Sequence, residues 1–82
     1  MYYVYVLKSL VTARYYIGQT KDLQNRLFEH NHATHGYTAK HRPYKLIYVE
    51  EYQSRAEAMR REYYLKSLKG GNEFKNIINL GL

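Results

Sequence analysis

Eighty-two residues carrying 13 Lys and Arg against 7 Asp and Glu give a formal charge of +6, and the chain has no cysteine. Disulfides, thiolate zinc sites and cysteine nucleophiles are therefore excluded, and the length suits one domain that buries only about 60% of the surface its unfolded form exposes. A basic balance on so small a globular chain is the electrostatic footprint of a nucleic-acid binder. The opening residues lack a basic leader and a small-residue cleavage site, and no apolar run approaches the roughly 20 residues needed to span a bilayer, so a soluble, cytoplasmic protein is expected.

Residues 2–9 alternate in a β-branched and aromatic-rich run. This predicts a strand with Tyr3, Tyr5 and Leu7 on one face and Tyr2, Val4 and Val6 on the other. Both faces are apolar, which predicts a central strand covered on both sides. A second strand is expected over 14–19, joined to the first by a short hairpin loop at 10–13 to make an antiparallel pair. Thr20 and Asp22 supply helix-start chemistry, and a helix follows to about His35. On it Leu23, Arg26, Leu27 and His30 fall on one stripe, so two functional-type side chains sit where a plain amphipathic helix would place apolar ones. Residues 36–43 form a basic connection containing Lys40, His41 and Arg42, and Pro43 favours an extended start to a third strand over 45–52. Ser54-Arg55-Ala56-Glu57 is a capping box opening a second helix to about Leu68, ended by Gly70-Gly71. Phe74, Ile77 and Ile78 have helical spacing in a short third helix over 73–80. The order strand, strand, helix, strand, helix, helix predicts an α/β fold: a small, mostly antiparallel three-stranded sheet covered by helices.

Of the seven carboxylates, Asp22 and Glu73 sit at helix starts and Glu57 closes the capping box, so each has a sufficient local role. Glu29 lies off the leucine stripe and is expected to be solvated. Glu50 and Glu51 take one strand face each, so at most one points toward a site. Glu62 shares a stripe with Ala58 and Leu65 and projects near the sheet-facing side of its helix, where an ionised carboxylate is costly unless a cation or strong donors meet it. The same residue also reads as a border glutamate paired with Lys66 one turn on. Four histidines, His30, His32, His35 and His41, invite a zinc reading; His30 and His32 do not share a helix face and no cysteine is available, which argues against it. His30, one turn after Arg26, better suits a group facing phosphate, or it is a polar helix-face residue with no role.

Tyr3-Val4-Tyr5 followed ten residues later by Tyr16-Ile17-Gly18, then Arg26 and His30 on a helix and Arg61-Glu62 beyond, resembles the signature of the GIY-YIG nuclease superfamily. Glu29-His30-Asn31, His41-Arg42-Pro43, Leu46-Ile47-Tyr48 and the run from Arg61 to Lys66 resemble its small stand-alone branch. The first tripeptide begins with Tyr3 where the signature has glycine, and Asn72, Asn76 and Asn79 all compete for a late asparagine found in several branches. The resemblance implies catalytic roles for Tyr5, Tyr16, Arg26, His30 and Glu62, a structural role for Gly18, and one divalent metal, magnesium or manganese, held by Glu62 and the scissile phosphate. A hard cation of this kind needs only one or two carboxylates besides phosphate and water. Arg26 suits a bidentate grip on phosphate, and either Tyr5 or His30 could take the proton from an attacking water.

Two functions follow as expectations. One is a metal-dependent endonuclease acting on DNA, in repair or processing, on branched, nicked or single-stranded substrates. The other is a nucleic-acid-binding module that keeps the fold without cleaving, with Lys40, His41, Arg42, Arg60 and Arg61 supplying phosphate contacts and exposed tyrosines stacking on bases. A protein-interaction scaffold is the weakest reading, because every candidate catalytic residue is retained.

Overall fold

The two-faced apolar pattern of the first strand is resolved by a sheet that has it in the middle. In a computed structural model, which describes residues 1–32, 34, 36–69 and 71–80, β1 (Tyr2–Ser9) lies between β2 (Tyr15–Thr20) and β3 (Tyr44–Tyr52), in the order β2-β1-β3 with both pairings antiparallel. The β1–β2 register sets Tyr5 opposite Gly18 and Leu7 opposite Tyr16. Because directly opposed residues share a face, Tyr5, Gly18, Leu7 and Tyr16 all look to one side of the sheet. Ser9 closes the hairpin: its Oγ accepts from the backbone N–H groups of Val11 and Thr12 and donates to the carbonyl of His41. Ala13 in that loop has φ of 61°.

The face bearing Tyr5 and Leu7 is covered by α1 (Leu23–His32), whose Leu23 and Leu27 pack with Tyr5, Leu7, Tyr16, Tyr44 and Leu46. Asp22 caps α1, its Oδ1 accepting from the Asn25 N–H at 3.1 Å, and the helix ends at His32, short of the expected His35, which lies outside the described residues. The basic connection contains a further short helix, α2 (Gly36–His41), entered through Gly36 at φ of 84°. Only glycine adopts that backbone without strain. Beyond α2, Asn31 ties α1 to the start of β3: its Oδ1 accepts from the Tyr44 N–H at 2.6 Å, and its Nδ2 donates to the Tyr44 carbonyl.

The opposite face, with Val4, Val6 and Ile17, carries the larger core. It packs against Ala58 and Leu65 of α3 (Arg55–Leu68) and Phe74 and Ile78 of α4 (Asn72–Leu80). Ser54 caps α3 by accepting from the Glu57 N–H while its hydroxyl donates to the Glu57 carboxylate. The expected glycine stop falls partly outside the described residues at Gly70; within them, the Gly71 N–H bonds the Leu68 carbonyl. A register irregularity between Val6 and Leu7 inserts Ile47 as an extra residue in β3. The bulge turns Tyr48, Glu50 and Tyr52 toward α3 while Leu46 and Tyr44 stay with α1. The expected element order therefore holds, with α2 added between α1 and β3.

Candidate active site

Period-two alternation on β1 and β2 and period-3.6 alternation on α1 converge on one cluster. Tyr5 projects from the central strand, 2% exposed, and its hydroxyl lies 3.2 Å from His30 Nε2 on α1. Tyr16 stacks on Tyr5 with ring centroids 6.5 Å apart and meets His30 edge-on at 4.4 Å. Tyr44 closes the group at 5.7 Å from His30. His30 is thus buried, at 6% exposure, in a cage of tyrosine rings.

Gly18 has a steric reason to be glycine. Tyr5 crosses over it, and a Cβ at that position would sit 2.7 Å from Tyr5 Cζ and closer still to the hydroxyl. The second tripeptide ends in glycine so that the tyrosine of the first can lie flat across the neighbouring strand.

The electrostatics follow from burial and from two flanking charges. Burial, helped by neighbouring Tyr16 and by the charge of Glu62, pushes the Tyr5 phenol well above its ordinary value, with Arg26 pulling the other way. Burial and the Arg26 charge both hold His30 below the ordinary histidine range. The pair is therefore a protonated phenol within hydrogen-bond distance of a neutral imidazole. Arg26 lies half exposed on α1, one turn before His30, its Nε 3.6 Å from Glu29.

Glu62 stands on α3 beside Lys66, with 2.7 Å between its Oε2 and the ammonium, and its side chain is only 16% exposed. The pairing expected of a border glutamate is present, and the Glu62 charge also acts on Tyr5. The donor set bears on which metal could sit there. Among the described residues no group of three or more His, Cys, Asp or Glu side chains could hold an ion. A magnesium-like ion needs no such group, since it takes most of its ligands from water and substrate phosphate and only one or two from carboxylates. Glu62, already facing a cation, fits that requirement.

The five residues expected to contact nucleic acid do not share one face. Lys40 and His41 end α2 near the β1–β2 hairpin, where His41 Nδ1 lies 3.1 Å from Thr12 Oγ1, and Arg42 Nη1 donates to the Asn31 carbonyl at 3.4 Å. Arg60 is exposed on α3. Arg61 is engaged inside the fold: its Nε and Nη2 donate to the two oxygens of Glu50 at 2.8 and 2.9 Å, and its guanidinium lies over the Tyr64 ring.

That Glu50 cluster is what the reading of the sequence missed. Tyr48 and Tyr52 also donate to the Glu50 carboxylate, Tyr52 at 2.6 Å. Burial acts to raise the Glu50 pKa, but the donors from Arg61, Tyr48 and Tyr52 outweigh it and keep the carboxyl below the usual range. Burial and the Glu50 carboxylate push Tyr52 up to about 12. The signal was present as Tyr-x-Glu-x-Tyr on a strand, which puts all three side chains on one face.

The cluster thus brings together a tyrosine laid over a glycine, a second tyrosine stacked on the first, a histidine caged against both, and the charges of an arginine on α1 and a glutamate on α3. Residues 1–75 match the family model described as the GIY-YIG catalytic domain, and the chain belongs to the GIY-YIG family, a family of nucleases. It is 42% identical over 69 residues to a UPF0213 protein of Halobacterium salinarum, covering 83% of this chain and 88% of that one. It is 38% identical over 68 residues to the UPF0213 protein YazA of Bacillus subtilis, covering 82% of this chain and 68% of the relative. The solution NMR structure of a UPF0213 protein from Bacillus halodurans superposes with a TM-score of 0.61 at 29% identity, covering 98% of this chain and 85% of that chain.

Proposed function

We propose that the protein is a divalent-metal-dependent endonuclease that hydrolyses phosphodiester bonds in DNA, on branched, nicked or single-stranded substrates, in repair or processing. The observation that carries this reading is the hydrogen bond between the Tyr5 hydroxyl and His30 Nε2 in a buried cage, flanked by the charges of Arg26 and Glu62. A phenol held above its ordinary pKa is a poor base by itself. A neutral imidazole within reach changes that, because the hydroxyl can give its proton to Nε2 while taking one from an attacking water. Tyr5 is then the group facing the water and His30 the group that receives the proton.

Arg26 supplies the planar fork that meets two phosphate oxygens and steadies the charge that builds on them. Tyr16 orients Tyr5 by stacking on it and His30 by meeting it edge-on. Glu62 would hold magnesium or manganese, which when bound supplies positive charge at the phosphate and lowers the cost of placing water beside it. Lys66, which pairs with Glu62 here, would give way to the ion. Lys40, His41, Arg42 and Arg60 remain candidates for phosphate contacts, and Arg61 serves the fold through Glu50.

Incubation of purified protein with nicked, flapped, branched and single-stranded DNA, with magnesium or with chelator, tests the reading. Magnesium-dependent cleavage of at least one substrate is expected. Binding to these DNAs with no cleavage under either magnesium or manganese would leave only a non-catalytic binding module.

A further inference from the structure

Arg26 belongs to two neighbourhoods. Its charge acts on Tyr5 and His30, and it also lines a surface groove of about 400 Å3 together with Tyr2, Thr20, Lys21 and Arg55. None of Lys40, His41, Arg42, Arg60 and Arg61 lines this groove. The cations come from three separate places in the chain: Lys21 in the β2–α1 turn, Arg26 one turn into α1, and Arg55 as the first residue of α3.

The groove also holds two carboxylates, so its cations outnumber its acids by three to two. Asp22 accepts from the Asn25 N–H, and Glu29 accepts from Asn25 Nδ2 at 3.2 Å while facing Arg26. Lys21 lies over the Tyr2 ring at 5.4 Å, an arrangement that orients an ammonium without neutralising it. The Arg55 side chain makes no hydrogen bond or ion pair with any of the described residues. An unengaged guanidinium facing a groove whose wall is the arginine of the active site is placed to take an anion.

We propose that Lys21 and Arg55 bind the backbone phosphate next to the one that is cut, so that a nucleic-acid strand runs from the Tyr5–His30 cluster past Arg26 into this groove. The proposal rests on the nuclease reading for which phosphate is cut, but not for the binding itself. A strand fits better than a free phosphate. A single phosphate would be satisfied by one guanidinium fork, whereas three cations carried on three elements match a chain of negative charges.

The test is fluorescence anisotropy of a labelled oligonucleotide in chelator, across a salt series, with the wild type, Arg55→Gln, Lys21→Gln, and Lys75→Gln on α4 as a control. Each groove variant should raise Kd about 3- to 10-fold and reduce the slope of log K against log salt by roughly 0.7 to 0.9, as expected for one lost phosphate contact. The control should stay near the wild type in both. Under cleavage conditions Arg55→Gln should raise KM and leave kcat unchanged. Wild-type slope and Kd in both groove variants would overturn the proposal, as would an equal loss in the control. Displacement of the oligonucleotide by inorganic phosphate at matched phosphate concentration would also overturn it, by showing a single-phosphate site. The two readings fail separately: an active wild type with unaffected groove variants removes the groove alone, and groove-dependent binding without cleavage of any DNA removes the nuclease reading alone.

Discussion

Tyr5 and His30 are legible as single residues in the sequence, but their relation is not. The alternation of β1 places Tyr5 on a face and the stripe of α1 places His30, yet nothing in either period says that the hydroxyl meets Nε2. Neither sequence nor spacing separates the two as bases, and their contact makes them one unit. Tyr5→Phe keeps the ring over Gly18 and removes the proton carrier, so turnover should fall by about 10² to 10⁴, the ordinary range for a positioned acid–base group. The pH profile follows from the direction of the shifts. His30 sits below the ordinary histidine value of 6.5, so the imidazole stays neutral through neutral pH, and activity should hold down to that value and fall only below it. Tyr5 is raised above 10.0, so phenol ionisation should cause no alkaline loss short of that. Stability has the matching sign: the unfolded chain takes up a proton on this histidine first as pH drops through 6.5, so folding weakens from there downward. An activity profile that breaks at or above pH 6.5 on the acid side would contradict the assignment. Gly18→Ala tests the steric half, since the added Cβ has no room beneath Tyr5. A loss of about 1 to 3 kcal/mol in denaturant unfolding is expected, and wild-type stability would show that the ring moves aside freely.

At the level of elements, the periodic segments were readable and the irregular ones were not. β1, β3, α3 and α4 fall within a residue or so of where alternation, the capping box and the 3.6 period put them. The basic connection hid α2, because Gly36 through His41 carries neither an apolar stripe nor a strand alternation, and its short helix is held from outside by Ser9 and Thr12 through His41. The bulge at Ile47 was equally silent, as an inserted residue changes a register without changing composition. Its consequence is the Glu50 cluster, which clamps β3 to α3 one residue before Glu62. Arg61→Met should leave Glu50 half-buried without its cation and lower stability by about 1.5 to 3 kcal/mol, read as a drop in Tm of several degrees. The lost stability should shrink as pH falls below the usual carboxylate range, where Glu50 takes a proton in both proteins. A variant as stable as the wild type at neutral pH would show that the clamp contributes nothing.

For the whole molecule, a charge of +6 on 82 residues indicates polyanion binding from composition alone, but not where the anion lies. The structure separates Lys40, His41 and Arg42 from Arg60, and gathers Lys21, Arg26 and Arg55 around one groove. Those three are 5 and 29 residues apart along the chain, a grouping that depends on α3 packing across β1 and β2 and that no local pattern encodes. Glu62 is the point where sequence and structure both leave a choice, since a helix-border glutamate beside Lys66 and a metal ligand look alike until an ion is offered. The most direct measurement compares wild type and Glu62→Gln for cleavage of a branched or single-stranded DNA in magnesium, with oligonucleotide binding in chelator and the circular dichroism spectrum recorded on the same samples. The account predicts that the variant keeps its fold and binds DNA within about threefold of the wild type while cleavage falls by at least about 10², because the substitution removes the charge that would hold the ion and little volume. Cleavage by Glu62→Gln at the wild-type rate would contradict it.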